Sequence, residues 1–284
     1  MTCVACGCLG APTRSLVVRS DTDGRDYQVD FCECGMGRTS STHIEEVCSQ
    51  ANHSMYDSVE GRISIYFHRL HRHFIARFNE TLRIVGEFSN GAKRYLEIGS
   101  NIGFTADLAR KAGFQVSVCE LNQKCREAST LIFDLEPHPD FFGVDGEFDI
   151  LMMCDVLEHF PDPTKALRKA WELLAPGGIL FVQLPNYASR EASRSGANWK
   201  FFGVPDHVTH FTDGSLKGIL RRNGFEPVWS RTVGFLEDKF WLRFLPSRIR
   251  RRFLAYADSF LFIGFIPAKG EEGPILQMIA RKSG

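Results

Sequence analysis

The chain has no surplus of either charge. In 284 residues, 34 Lys plus Arg face 34 Asp plus Glu. A nucleic-acid-binding domain advertises itself by a basic excess, so composition supplies no argument for such a partner. Long apolar runs are missing too. The longest towards the end, FLFIGFI at 260–266, has seven residues, far short of the roughly 20 that a membrane-spanning helix needs. No basic N-terminus followed by an apolar stretch marks a secretory signal, so the expected compartment is cytoplasmic and the expected thiols are reduced. The first 40 residues are short of large apolar side chains and cannot form a core without a staple.

The staple is in the cysteines. Of nine, six fall in the first 48 residues: Cys3, Cys6, Cys8, Cys32, Cys34 and Cys48. CVACG is a zinc-knuckle sequence, two thiols two residues apart followed by glycine for a tight turn. CECG, 26 residues after Cys6, supplies the second half. The expected ligand set is Cys3, Cys6, Cys32 and Cys34, a closed and structural zinc site. Cys32 and Cys34 have one residue between them instead of two, which leaves Cys8 able to substitute. His68, His71 and His73 lie off the apolar stripe of their helix and read as a solvated face.

That helix is expected over 59–88, with Ile63, Phe67, Leu70, Phe74, Phe78, Leu82 and Val85 at three- and four-residue steps. From residue 94 strands and helices alternate: YLEIG, FTADLARKA, FQVSVCE, a short helix near 122–128, a third strand TLIFDL, the buried-type strand FDILMMC, and a helix capped by Asp162 with Pro163 in its first turn. ILFVQLPN, a helix at 213–222, FEPVWSRTV and ILQMIARK complete the pattern. Strands alternating with helices predict an α/β fold with a mostly parallel sheet covered on both faces. The domain reading is a cysteine-rich zinc-binding module at 1–48, a helical connector at 49–91 and a catalytic domain at 92–284, with a lid-like insertion at 236–270.

The turn at 97–103 lacks two glycines of the dinucleotide fingerprint and the lysine of a phosphate-cradling loop. What remains is Glu97-x-Gly99-x-x-x-Gly103. A carboxylate so close repels a pyrophosphate and attracts an ammonium. Glu120, 21 residues past Gly99, stands where an acid takes ribose hydroxyls in such folds. An amino-acid head plus a ribose, without phosphate, describes S-adenosylmethionine (SAM).

With these motifs the chain resembles the class I SAM-dependent methyltransferases over residues 92–284. LEIGSNIG is similar to their first motif and CELN to the second. FDILMMCDVLEHFPDP and LAPGGILFVQLPN are similar to the segments at the fourth and fifth strands. The resemblance implies a Rossmann-like seven-stranded sheet whose last strand, ILQMIARK, runs against both neighbours. It places Glu97, Gly99, Ser100, Asn101 and Gly103 around the methionine part of SAM, Glu120 on the ribose, and Leu121 with Asp134 and Leu135 about the adenine. Cys154 and Asp155, at the end of the fourth strand, complete the cofactor set. An N-terminal zinc ribbon also accompanies one subgroup.

The methyl acceptor belongs outside the carboxyl ends of the central strands, and three segments converge there. Asp155, Glu158 and His159 resemble the acid-x-x-Glu-His string of metal-assisted quinone O-methyltransferases. W…P-x-H…F-[ST] after the fifth strand resembles sugar C-methyltransferases, in which a Glu-His pair acts as base and partner; Asp206-His207 matches it, with His207 as candidate general base, and His210 reads as structural. The insertion carries a local charge of +5 between Arg231 and Arg252, with interleaved aromatics that suit an acidic or lipid-linked substrate or a peripheral membrane contact. The expected activity is methyl transfer to a small molecule such as a sugar, glycan or secondary metabolite. Its rivals are a divalent-metal-assisted O-methyltransferase and a non-catalytic SAM-fold scaffold. The oligomeric state stays open.

Overall fold

The computed structural model describes residues 2–40, 71–234, 266–267 and 272–283. The chain starts with three short strands, β1 (Arg14–Arg19), β2 (Asp26–Phe31) and β3 (Gly37–Ser40). Helix α1 (His71–Phe88) comes next; the part of the expected helix before it, with His68, lies outside the described residues. Then follow β4 (Arg94–Ile98), α2 (Phe104–Lys111), β5 (Gln115–Cys119), α3 (Gln123–Phe133), β6 (Phe148–Cys154), α4 (Pro163–Leu173) and β7 (Leu174–Pro185). A crossing segment with α5 (Arg190–Ser195) leads to β8 (Thr209–His210), α6 (Asp213–Arg222) and β9 (Phe225–Gly234). Two-residue β10 (Ile266–Pro267) and β11 (Ile275–Lys282) close the chain. Apart from β10, most of the expected lid falls outside the described residues.

Seven strands form the large sheet in the order β10-β9-β11-β7-β6-β4-β5. Strands β5, β4, β6 and β7 are parallel, and β11 runs antiparallel to both β7 and β9, as the resemblance implies. Alternation along the strands builds two cores. Leu96, Leu151, Met153, Leu180 and Met278 face α4 and α6. Tyr95, Ile150, Met152, Phe181 and Ile279 face α1 and α2, where Leu82, Val85 and Ala109 meet them. The sheet is thus covered on both faces. Local signals set the helix ends: the Asp162 carboxylate accepts from the amides of Thr164 and Lys165 at 2.9 and 3.1 Å with Pro163 in the first turn.

One element differs from expectation. TLIFDL is not a third strand, because α3 continues through Phe133. Cys125, Ala128, Ile132 and Phe133 pack on Ile102 and Phe104, a helical spacing that overrides the β propensity of the short apolar run. Asp134 therefore ends a helix, with φ of 55°, and Leu135 is buried behind Gly103. The third strand shrinks to one parallel bridge, Cys119 to His138.

A second, four-stranded sheet has the order β1-β2-β3-β8. Three of its strands come from the cysteine-rich segment, and β8 belongs to the stretch after β7. Ala5 and Met36 also enter the main core beside Leu216, Ile219 and Phe211, so the cysteine-rich segment packs directly on the catalytic domain.

Alternation puts Glu97 on the β4 face shared with Tyr95. It is 3% exposed, held by the Thr105 hydroxyl and by Tyr95 Oη at 3.3 Å. Burial is the main cause that lifts its carboxyl to about 7 from the ordinary 4.5. The unfolded chain binds this proton more weakly, so the stabilisation is full below pH 4.5 and is lost as pH rises through about 7. Thermal melts of the SAM-free protein between pH 6 and 8 should show the wild type losing stability with pH relative to Glu97→Gln; parallel curves would place the titration elsewhere.

Candidate active site

The site begins where β4 ends. Gly99 has φ of 70°, and a Cβ there would lie 2.5 Å from Val156 Cγ2, so no side chain fits between this turn and the loop after β6. Asn101, with φ of 54°, and Gly103, with φ of 85°, carry the turn into α2. The Ser100 hydroxyl is buried and has no protein partner. Glu120, just past β5, accepts from the Asn101 and Asn122 amides, each at 2.8 Å. Those bonds fix the position of the carboxylate. Leu121 is 60% exposed beside it.

At the edge next to β5, the segment from His138 replaces the missing strand. Its carbonyl accepts from the Glu120 amide at 3.0 Å, and Asp140 caps the turn Phe141–Gly143. Phe141 and Phe142 stack about Phe160, with centroids 5.9 and 6.0 Å away. Sequence reasoning placed Asp134 and Leu135 here and missed this aromatic corner. The signal for it was Pro137-His138-Pro139, since two prolines forbid helix and favour an extended edge.

Beyond β6, Cys154 is flanked by Asp155, whose φ is 55° and whose carboxylate accepts from Gln183 Nε2 at 3.2 Å. Burial lifts Asp155 to about 6. Three residues on, Glu158 is 1% exposed and neither carboxylate oxygen has a hydrogen-bond partner. Burial, then the charge of Asp155, pushes its carboxyl well up. The neutral acid is the form that this burial favours.

Glu158 borders a small recess of about 10 Å³, lined by Pro185, Tyr187, Trp199, Phe201, His207, Thr209 and His210, room as it stands for about one water. Trp199 Nε1 and Thr209 Oγ1 are likewise buried without partners. Aromatic walls and orphaned polar atoms thus line one space. His207 lies against the turn before it: its backbone amide donates to the Gly203 carbonyl at 2.9 Å. A Cβ at Gly203, where φ is 55°, would sit 2.7 Å from the ring. The Phe201 carbonyl, 3.0 Å from His207 Nδ1, can only accept, so Nδ1 carries the proton and Nε2 a lone pair. Burial first, and then the neighbouring His159 and His210, hold this imidazole well below the usual histidine range; burial takes His210 to about 3. Both are neutral at pH 7.

The expected partner, Asp206, does not meet the His207 ring. It offers its backbone carbonyl to His159 Nδ1 at 3.0 Å instead. That brings His159 up against His207, with ring centroids 4.7 Å apart. Ligand atoms of Glu158, His159 and His207 lie within 4.8 Å of one another. Asp155, turned to Gln183, is not among them.

The cysteines converge separately. The Sγ atoms of Cys3, Cys6, Cys32 and Cys34 lie within 4.8 Å of one another, at 3.6 Å for Cys3–Cys34 and 3.5 Å for Cys6–Cys32. Tetrahedral zinc with bonds of about 2.3 Å needs sulfurs about 3.8 Å apart, so the four residues fit the ion. Cys8 is exposed and outside the cluster.

Residues 66–230 match a family of methyltransferase domains. The ubiquinone biosynthesis O-methyltransferase of Xanthomonas euvesicatoria is 27% identical over 185 residues, covering 58% of this chain and 75% of that protein. The enzyme of the same name from Aromatoleum aromaticum is 30% identical over 150 residues, covering 47% and 64%. Among solved structures, the Burkholderia thailandensis 1,6-didemethyltoxoflavin-N1-methyltransferase, with bound 1,6-didemethyltoxoflavin and S-adenosylhomocysteine, superposes with a TM-score of 0.54 at 15% identity, covering 91% of this chain and 96% of that one. Synechocystis magnesium protoporphyrin IX methyltransferase, with bound SAM, gives 0.51 at 13% identity, covering 86% and 99%. At such identities the likeness is one of fold. The family match over more than half of the chain, on a sheet whose glycine turn and second-strand acid are both in place, makes this chain a member of the class I SAM-dependent methyltransferases.

Proposed function

We propose that the protein transfers the methyl group of SAM to a hydroxyl of a small cyclic acceptor received between Glu158 and Trp199, where the aromatic walls part to admit it. The observation that carries this reading is the set of unpartnered polar atoms on aromatic walls. A ring with hydroxyl substituents stacks on such walls and satisfies Glu158, Thr209 and Trp199 Nε1 together. Relatives named for O-methylation support an oxygen acceptor. Gly99, Ser100, Asn101 and Gly103 hold the methionine part of SAM in this reading, with Glu97 buried beneath the turn, Glu120 on the ribose and the 138–142 corner beside the adenine. Cys154 and Asp155 line the way from cofactor to acceptor.

In the transfer, the acceptor oxygen attacks the methyl carbon and the carbon–sulfur bond breaks. Its electron pair stays on sulfur, giving S-adenosylhomocysteine and a methyl ether. The hydroxyl proton passes to His207 Nε2, whose lone pair the Phe201 carbonyl keeps available. Alignment of the two reactants supplies most of the acceleration.

A second reading has its own observation: Glu158, His159 and His207 converge, and backbone carbonyls hold both imidazoles by Nδ1, as is usual behind metal ligands. Glu158, His159 and His207 would hold a divalent cation there, which would offset the carboxylate charge and supply Lewis acidity. We further propose zinc in the Cys3–Cys6–Cys32–Cys34 cluster, where it would hold the segment together and stay out of the chemistry.

Calorimetry should show SAM binding, weakened by about 1.5–3 kcal/mol in Glu120→Ala; equal affinity would remove Glu120 from the ribose role. A panel of hydroxylated aromatics and sugars, read by S-adenosylhomocysteine release, should give turnover that falls about 10²–10⁴-fold in His207→Ala with SAM affinity kept. A merely structural histidine would instead lower stability and leave the folded fraction at near-normal rate. Turnover that survives chelation favours the base, whereas loss restored by Mg²⁺ or Mn²⁺ favours the cation. Elemental analysis should find about one zinc per chain, lost in Cys3→Ser with SAM affinity unchanged; protein free of zinc, with four reactive thiols, would sink that assignment.

A further inference from the structure

We propose that the N-terminal sheet is part of the acceptor site, with Thr39 as a positioning residue that seats the backbone of His207 and sets the tautomer of His210 opposite to that of His207. The proposal rests on the reading of the cavity as the acceptor site, but its geometry stands apart from the identity of the acceptor.

Strand β3 runs antiparallel to β8, with Gly37 opposite His210 and Arg38 opposite Thr209. The Thr39 amide donates to the Val208 carbonyl at 2.9 Å, and the Val208 amide donates to the Glu158 carbonyl at 2.9 Å. The backbone that carries both cavity histidines is therefore clasped between the cysteine-rich segment and the turn that bears Glu158. Arg38 fastens the same turn from the N-terminal side, donating to the Pro161 carbonyl at 2.8 Å.

Thr39 is buried and its hydroxyl makes two bonds. It lies 2.8 Å from the His207 carbonyl and 2.9 Å from His210 Nε2. A carbonyl only accepts, so the single hydroxyl proton goes to His207, and the oxygen must accept from His210. His210 is then protonated on Nε2 and bare on Nδ1. His207 is the reverse, because the Phe201 carbonyl takes its Nδ1 proton. One hydroxyl outside the catalytic domain thus fixes both the height of His207 in the cavity and the hydrogen-bonding character of His210. Serine keeps this bonding, and valine keeps the shape while losing both bonds.

The cysteines feed into the same arrangement. Cys34 lies five residues before Thr39, and the Cys32 amide donates to the Met36 carbonyl at 2.9 Å, closing the turn that enters β3. Whatever fixes the four thiols fixes the start of the strand that carries Thr39.

Long-range nitrogen–proton NMR on histidine-labelled protein, without acceptor, tests this directly. Wild type should show His210 protonated on Nε2 and His207 on Nδ1. Thr39→Val should abolish the His210 preference and speed amide exchange at Val208 and His210 by about tenfold or more. Thr39→Ser should keep both, and calorimetric SAM affinity should be the same in all three proteins. Wild-type His210 protonated on Nδ1 would overturn the proposal even if Thr39→Val failed to fold, and so would a folded Thr39→Val with unchanged tautomers and exchange. A His207→Ala protein with full turnover would strike the acceptor reading and leave these results standing.

Discussion

One residue of extended backbone, Val208, is bound on both sides: its carbonyl by the Thr39 amide and its own amide by the Glu158 carbonyl. This junction ties the N-terminal sheet to the turn that bears Glu158. It sets the distance between the loop after β6 and the segment after β7, and so brings Glu158, His159 and His207 together. Without it, β8 has only two residues, too few to hold a place on their own. The small sheet is therefore a wall of the cavity as much as a unit of the chain.

The cavity is costly as built. Glu158, Trp199 and Thr209 keep polar atoms from water and give them nothing in return, and two neighbouring imidazoles are forced neutral. Each such group costs on the order of 1–3 kcal/mol, a large share of the stability of an ordinary domain. The surrounding packing carries that load: Trp199, Phe202 and Val204 form one apolar cluster with Val18, Val29 and Phe31 from the small sheet. Polar atoms stranded inside well-packed apolar walls are what a binding site looks like before its ligand arrives.

Much of the catalytic domain could be read from the chain because its signals are local. Phe148–Cys154 and Ile275–Lys282 are apolar runs too short for helices and bounded by turns. Asp162-Pro163 marks a helix start by itself. The glycine turn and the position of Glu120 were legible for the same reason, since they follow one another along two adjacent strands. The third strand was misread because TLIFDL suits either structure, and only contact with Ile102 and Phe104 decides for helix. On the acceptor side, sequence pairing failed for Asp206 and His207. Asp206 lies in the turn that His207 closes by donating its amide to the Gly203 carbonyl, so the ring of His207 finds its partner in Phe201, across that turn. Thr39 is 168 residues from His207, and no spacing rule reaches that far.

The position of β11 also shapes how this protein is made. Its eight residues sit between β7 and β9, yet roughly 90 residues separate the end of β7 from their start. At about 5–20 residues per second of synthesis, β7 waits several seconds on the ribosome with a bare hydrogen-bonding edge. That edge includes Leu180, Val182 and Leu184, all fully buried in the finished sheet. During translation the middle of the sheet is thus a sticky margin, open to pairing with other nascent strands until the last strand slides in.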